Sequence, residues 1–160
     1  MNVAEKYQLI LNQQREKGSR EIILEVALEI IDELMKQDRE ISITELRILT
    51  DSLSIAYLAT SDLKHMKENY EYVDLMIRYL TEYLEICQDD AILFDSCIFT
   101  LIAALYYEEA YDLCQRFYAG SGETKKVALK WLSSGLFLGD ELMTKAERTA
   151  YKQEYSRYIS

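Results

Sequence analysis

The one histidine, His65, is the first residue to test for catalysis or metal binding, because a neutral imidazole takes up protons near neutral pH and coordinates metals. It stands on a predominantly charged helix start, with no cysteine, serine or second histidine at triad or ligand spacing. A helical di-metal site needs Glu-x-x-His pairs, and only Asp62 precedes His65 by three residues. The cysteines, Cys87, Cys97 and Cys114, are odd in number, lack the short paired spacing of a zinc site and fall in apolar helical patterns, so they read as reduced core residues.

The run Gly120-Ser121-Gly122-Glu123-Thr124-Lys125-Lys126 has the small residues and lysine of a phosphate loop but not its spacing. A P-loop needs four residues between its glycines, a Lys-Ser/Thr pair after the second, and a preceding strand. The run reads instead as a helix linker in which Ser121 or Thr124 caps the next helix. Carboxylate pairs such as Glu82/Glu85 and Glu108/Glu109 fall on solvated helix faces. No catalytic, cofactor-binding or metal site is expected, and the chain reads as a non-enzyme.

The elements carrying these residues follow from an absence of breakers. Proline does not occur and glycine occurs five times in 160 residues, which predicts long helices. The fold class read is all-α: a single domain over 1–160, with about six to eight antiparallel helices as a helical-hairpin array or bundle. The first helix is expected from Asn2 to Lys17 with Gly18 as its stop, and the second, capped by Ser19, carries Ile22, Ile23, Val26, Ala27, Ile30, Ile31 and Leu34. Ser42-Ile43-Thr44-Glu45 has capping-box spacing and opens a third helix whose buried face is Leu46, Leu49, Leu53, Ala56 and Tyr57.

A fourth helix is expected from Asp62 to Gln88, with the seam Leu63, Met66, Tyr70, Val73, Ile77, Leu80, Leu84 and Cys87 and a second stripe of Tyr72, Met76, Tyr79 and Tyr83. Packing between two neighbouring helices is preferred for it; a coiled-coil homodimer is the competing arrangement. Asp89 and Asp90 cap a fifth helix, from Ala91 to Tyr106, that is apolar nearly all round and is expected to be the most buried element, Ile98 and Ile102 included. Further helices cover Glu108–Tyr118, the region of Val127 to Phe137, and a final one opened by the capping box Thr144-Lys145-Ala146-Glu147, with Ala150, Tyr151, Tyr155 and Tyr158 as its apolar face.

Tyr70-Glu71-Tyr72-Val73-Asp74 and Tyr107-Glu108-Glu109-Ala110-Tyr111 stand 37 residues apart, an offset that suits a helical-hairpin repeat. Phe94, Cys97 and Leu101 followed by Tyr107, Ala110, Cys114 and Phe117 give a unit of about 30 residues that resembles a tetratricopeptide repeat. It departs from that pattern at bulky Ile98, in lacking a Gly-Asp turn before Tyr107, and in lacking a closing proline.

Charge narrows the partner. A net charge of −10 argues against nucleic acid and against anionic membranes, both of which need basic residues. The longest uncharged stretch, Ser96–Tyr107, falls short of the ~20 residues that span a bilayer, and no cationic segment followed by an apolar run opens the chain, so a cytoplasmic protein is expected. Residues 62–122 hold 12 acidic and 4 basic groups together with Tyr70, Tyr72, Tyr79, Tyr83, Tyr106, Tyr107, Tyr111 and Tyr118. Tyrosine supplies contact area at small entropic cost, and surrounding carboxylates steer basic partners. The expected function is a protein-binding adaptor or chaperone using an acidic, tyrosine-rich surface of Glu71, Tyr72, Asp74, Met76, Tyr79, Glu82, Tyr83 and Glu85 against a basic partner protein. The alternative is an acidic inhibitor of a basic enzyme, such as an immunity protein or antitoxin, with an uncharacterised enzyme third.

Overall fold

The computed structural model describes residues 1–60, 66–120, 122–139 and 141–159, and in them side-chain capping sets most of the helix starts. Asn2 accepts the Glu5 amide at 2.8 Å ahead of α1 (Val3–Arg15), and Ser19 accepts the Ile22 amide at 3.3 Å ahead of α2 (Arg20–Met35). Ser42 and Glu45 exchange bonds of 3.1 Å at the head of α3 (Ile43–Thr60), the capping box expected from their spacing. After α4 (Met66–Glu82) and the one-turn α5 (Leu84–Cys87), Asp90 accepts the Leu93 amide at 3.1 Å to begin α6 (Ala91–Ala103). α7 (Tyr107–Tyr118) and α8 (Gly122–Leu132) come next, and Thr144 and Glu147 open α9 (Lys145–Ile159) with reciprocal bonds of 3.2 and 3.1 Å. The fold is all-α, with nine helices and no strand among the described residues. His65, Ser121 and the expected start of the fourth helix at Asp62 and Leu63 lie outside them.

Helix ends depart from expectation where the backbone uses a residue other than glycine. Past α1, Lys17 adopts φ 52° while the Gly18 amide donates back to the Gln13 carbonyl at 2.7 Å, so Lys17 makes the left-handed turn and Gly18 closes it. A β-carbon at 18 would meet Gln13 Oε1 at 1.9 Å, so a larger residue there needs the flexible Gln13 side chain to move aside. α6 ends the same way, with Leu105 at φ 64° and the Tyr106 and Leu105 amides bonded to the Leu101 and Ile102 carbonyls at 2.8 and 3.0 Å. The expected fourth helix stops at Glu82 instead of reaching Gln88. No glycine or proline marks that stop; Tyr83 leaves the helix as its hydroxyl accepts the Ile41 amide at 3.3 Å. α8 likewise ends at Leu132, and Gly135 at φ 89° turns the chain so that Phe137 returns to the core, edge-on to Tyr111 at 5.5 Å.

The chain divides into two compact units, Met1–Tyr83 and Leu84–Ser160. In the first, α1 packs on α2, α2 on α3 and α3 on α4. The buried side chains include Ile10, the Val26–Leu34 stripe of α2, Leu46, Leu49, Leu53, Ala56 and Tyr57 of α3, and Val73, Met76 and Leu80 of α4. Buried hydroxyls on α3 are satisfied by their own helix, Thr50 donating to the Leu46 carbonyl at 2.9 Å and Ser52 to that of Ile48 at 2.7 Å. The Tyr7 hydroxyl donates to Asp51 at 2.6 Å, tying α1 to α3; burial and that carboxylate both raise its pKa.

In the second unit α6 packs on α7 and α8, α7 on α8, and α8 on α9. Its core holds the Phe94–Phe117 ring stack at 3.9 Å together with buried Cys97, Ile98, Leu101, Cys114, Leu129 and Phe137. α9 contributes no buried residue and is held at its polar edge: Tyr118 donates to Glu154 at 2.7 Å, Gln115 to the Tyr151 hydroxyl at 3.1 Å, and Arg148 to the Ser133 carbonyl at 3.1 Å.

Candidate functional site

α6 does not bury its whole circumference. Ile98 is fully buried as expected, but Ile102 is half-buried, Ile92 is 85% exposed and Phe99 is 55% exposed. Burying an all-round apolar helix needs neighbours on every side, and within its unit α6 packs chiefly on α7 and α8. The uncovered residues share one stripe with Asp95 and Ser96, at helical steps of three, one and three. Opposite them Glu123, Val127, Lys130 and Trp131 recur along α8. Together with Ala91 these residues line an open groove of about 690 Å³.

One carboxylate organises its wall. Asp95 Oδ1 accepts from Lys130 Nζ at 2.6 Å and from the Trp131 indole N–H at 2.7 Å. Lys130 also stands 4.9 Å from the centroid of the Trp131 ring. The indole is thereby pinned in orientation, its polar atom used internally and its apolar ring left as groove surface. Asp95 and Lys130 are spent on each other, so the groove is better suited to holding an apolar surface than to moving protons.

Packing takes Met76 out of the surface expected on the fourth helix, and the end of α4 at Glu82 divides the residues that remain. Met76 is 1% exposed and belongs to the core, which removes it from any contact surface. Among the described side chains of α4, those buried are Val73, Met76 and Leu80, so the core-facing stripe there falls between the two stripes read from sequence. Tyr72, Tyr79 and Tyr83 are half-buried. Tyr79 and Tyr83 stack at 6.1 Å, and with Met35, Arg39, Ile41 and Arg78 they border a polar hollow of about 330 Å³ beside the α2–α3 connection. Burial raises the Tyr79 pKa. Glu71, Asp74 and Glu82 are exposed on α4, while Glu85 lies on α5 in the second unit. The one continuous helix expected from Glu71 to Glu85 does not form: α4 ends at Glu82 and Glu85 belongs to α5.

Burial drives the Cys87 thiol up to about 11 and raises that of Cys114, which keeps both protonated. Lys125, from the run that lacks phosphate-loop spacing, lies in the first turn of α8, meets Glu154 at 3.5 Å and stands 5.0 Å from the centroid of the Tyr118 ring. Tyr118 itself is pushed up to about 12 by the hydrogen bond to Glu154 and by burial. Among the described residues no cluster of three or more His, Cys, Asp or Glu side chains is placed to hold a metal, and no helix is long and apolar enough to cross a membrane. Ile92, Phe99, Val127 and Trp131 escaped sequence reasoning because their helical spacing is also that of core residues. Compared with protein-family profiles, curated proteins and solved structures, the chain finds no match.

Proposed function

We propose that this chain is a non-enzymatic helical module, an adaptor or chaperone, that binds another protein in the groove between α6 and α8. The observation that carries this reading is the exposure of Ile92 and Phe99 beside the pinned indole of Trp131. Large apolar side chains gathered in one open groove are the usual mark of a contact surface, and fixed aromatic rings make its anchors. The α6–α7 hairpin packed on α8 also supports a helical-hairpin module of the tetratricopeptide kind. The inhibitor reading needs a broad acidic face with aromatic anchors, and the burial of Met76 together with the break at Tyr83 weakens it.

A photo-crosslinking amino acid placed at position 99, and separately at exposed position 78 on α4, tests this in cells. The expected result is a discrete protein adduct from position 99 that disappears when Ile92→Asp is added, and none from position 78. An adduct from position 78 alone would return the binding surface to α4.

A further inference from the structure

We infer that the occupant of the α6/α8 groove is an amphipathic helix of a partner protein, with a basic residue beside its apolar stripe; this rests on reading the groove as the binding surface. Three features of the groove lead there. The first is its length. Ile92 and Phe99 are seven residues apart on α6, about 10 Å at 1.5 Å per residue, and Val127 and Trp131 are one turn apart on α8. That length fits about two turns of a helix presenting apolar residues at i, i+3 or i+4, and i+7.

The second is what the walls offer a backbone. Both walls are helices, whose amide and carbonyl groups are used within the helix itself, so no strand edge exists for an extended peptide to join. The polar side chains of the lining are Asp95, Ser96, Glu123 and Lys130, and Asp95 is already shared by Lys130 and Trp131. An extended segment would lay unpaired backbone groups against Ile92, Phe99 and Trp131, which is costly. A helix arrives with its backbone satisfied.

The third is charge. Asp95 and Lys130 of the lining neutralise each other, which leaves the carboxylate of Glu123 in excess. A lysine or arginine flanking the partner's stripe complements that balance, and an acidic flank is repelled. Small Ala91 and Ser96 stand among the bulky lining residues and leave room for incoming side chains.

The experiment is selection of a displayed library of random peptides, about 16 residues long or some four turns, on the purified full chain, with counter-selection on the full chain carrying Phe99→Asp. Expected winners repeat apolar residues at helical spacing with lysine or arginine alongside. A synthetic winner should shift the emission of Trp131, the chain's one tryptophan. It should lose about tenfold or more in affinity towards Phe99→Asp and Ile92→Asp, and when proline is placed at its centre. Glu123→Lys should weaken it and favour a glutamate-flanked version. The circular dichroism melt of Ile92→Asp, at the more exposed site, should match the parent, whereas that of Phe99→Asp should fall by several degrees and keep the parent's helical signal, so Ile92→Asp decides if Phe99→Asp does not fold.

Proline-rich or aperiodic winners, acid-flanked winners, or no winner dependent on position 92 or 99 would each overturn the inference. A dimer in sedimentation that Phe99→Asp dissociates would overturn it in favour of a second copy of the chain. Any of these results alongside an adduct from position 99 refutes the helical partner alone, whereas absence of that adduct refutes the groove itself.

Discussion

Phe94 and Phe99 lie five residues apart on one helix and should respond to the same substitution very differently. Phe94 is 1% exposed and stacks on Phe117 at 3.9 Å, so Phe94→Ala removes a buried ring and leaves a cavity, at a cost of about 4 kcal/mol. Phe99 has less than half its surface covered, being 55% exposed. At about 200 Å² for a fully buried aromatic and ~25 cal/mol per Å², that coverage is worth at most about 2 kcal/mol. Alanine keeps the β-carbon and adds no internal cavity, so the loss for Phe99→Ala should be about 1 kcal/mol. Trp131 reports on the unit that holds both residues, and its emission followed through urea unfolding gives the midpoints. With a slope of about 2 kcal/mol per molar, the midpoint should fall by about 2 M for Phe94→Ala and by about 0.5 M for Phe99→Ala. Equal shifts, or the larger shift at Phe99, would mean that the Phe99 ring is covered, and the groove would lose its main anchor.

Leu105 holds φ 64° at an exposed helix end, so Leu105→Gly should raise stability by about 0.5 to 1 kcal/mol; a lowered melting temperature would count against a left-handed residue there. Arg39 and the capping bonds from Ser42 hold the Glu45 carboxyl down at about 2, against an ordinary value of 4.5. A depressed folded-state pKa stabilises fully above the unfolded value and is lost as pH falls through the folded one. The stability gap between the parent and Glu45→Gln should therefore be largest above pH 4.5 and close as pH falls through about 2. A gap constant over that range in pH-dependent urea unfolding would refute the Arg39–Glu45 contribution.

What the sequence made legible was local. Ser19, Ser42 with Glu45, Asp90, and Thr144 with Glu147 all cap as their spacing predicts, because a cap needs only a side chain and an amide two or three residues away. The stops were less legible. Lys17 and Leu105 take left-handed positions that glycine would fill more cheaply, and the break at Tyr83 is accompanied by a hydrogen bond to an amide 42 residues away, which no local pattern encodes. The groove was illegible for a related reason. Periodicity tells which residues of α6 share a face but not how many helices surround it, so Phe94 and Phe99 look equivalent until their neighbours are placed.

The docking of α9 has a kinetic meaning. A helix that buries no residue of its own gains little from the hydrophobic collapse that assembles α6, α7 and α8 around Phe94 and Phe117. What retains it is largely directional: the Tyr118–Glu154, Gln115–Tyr151 and Arg148–Ser133 bonds and the Lys125–Glu154 ion pair, with the Tyr118 and Tyr151 rings edge-on at 5.2 Å. Such a helix should open at a lower free energy than the rest of its unit. Its amides should therefore exchange with solvent long before those of α6, making the last helix of the chain a cooperative unit of its own.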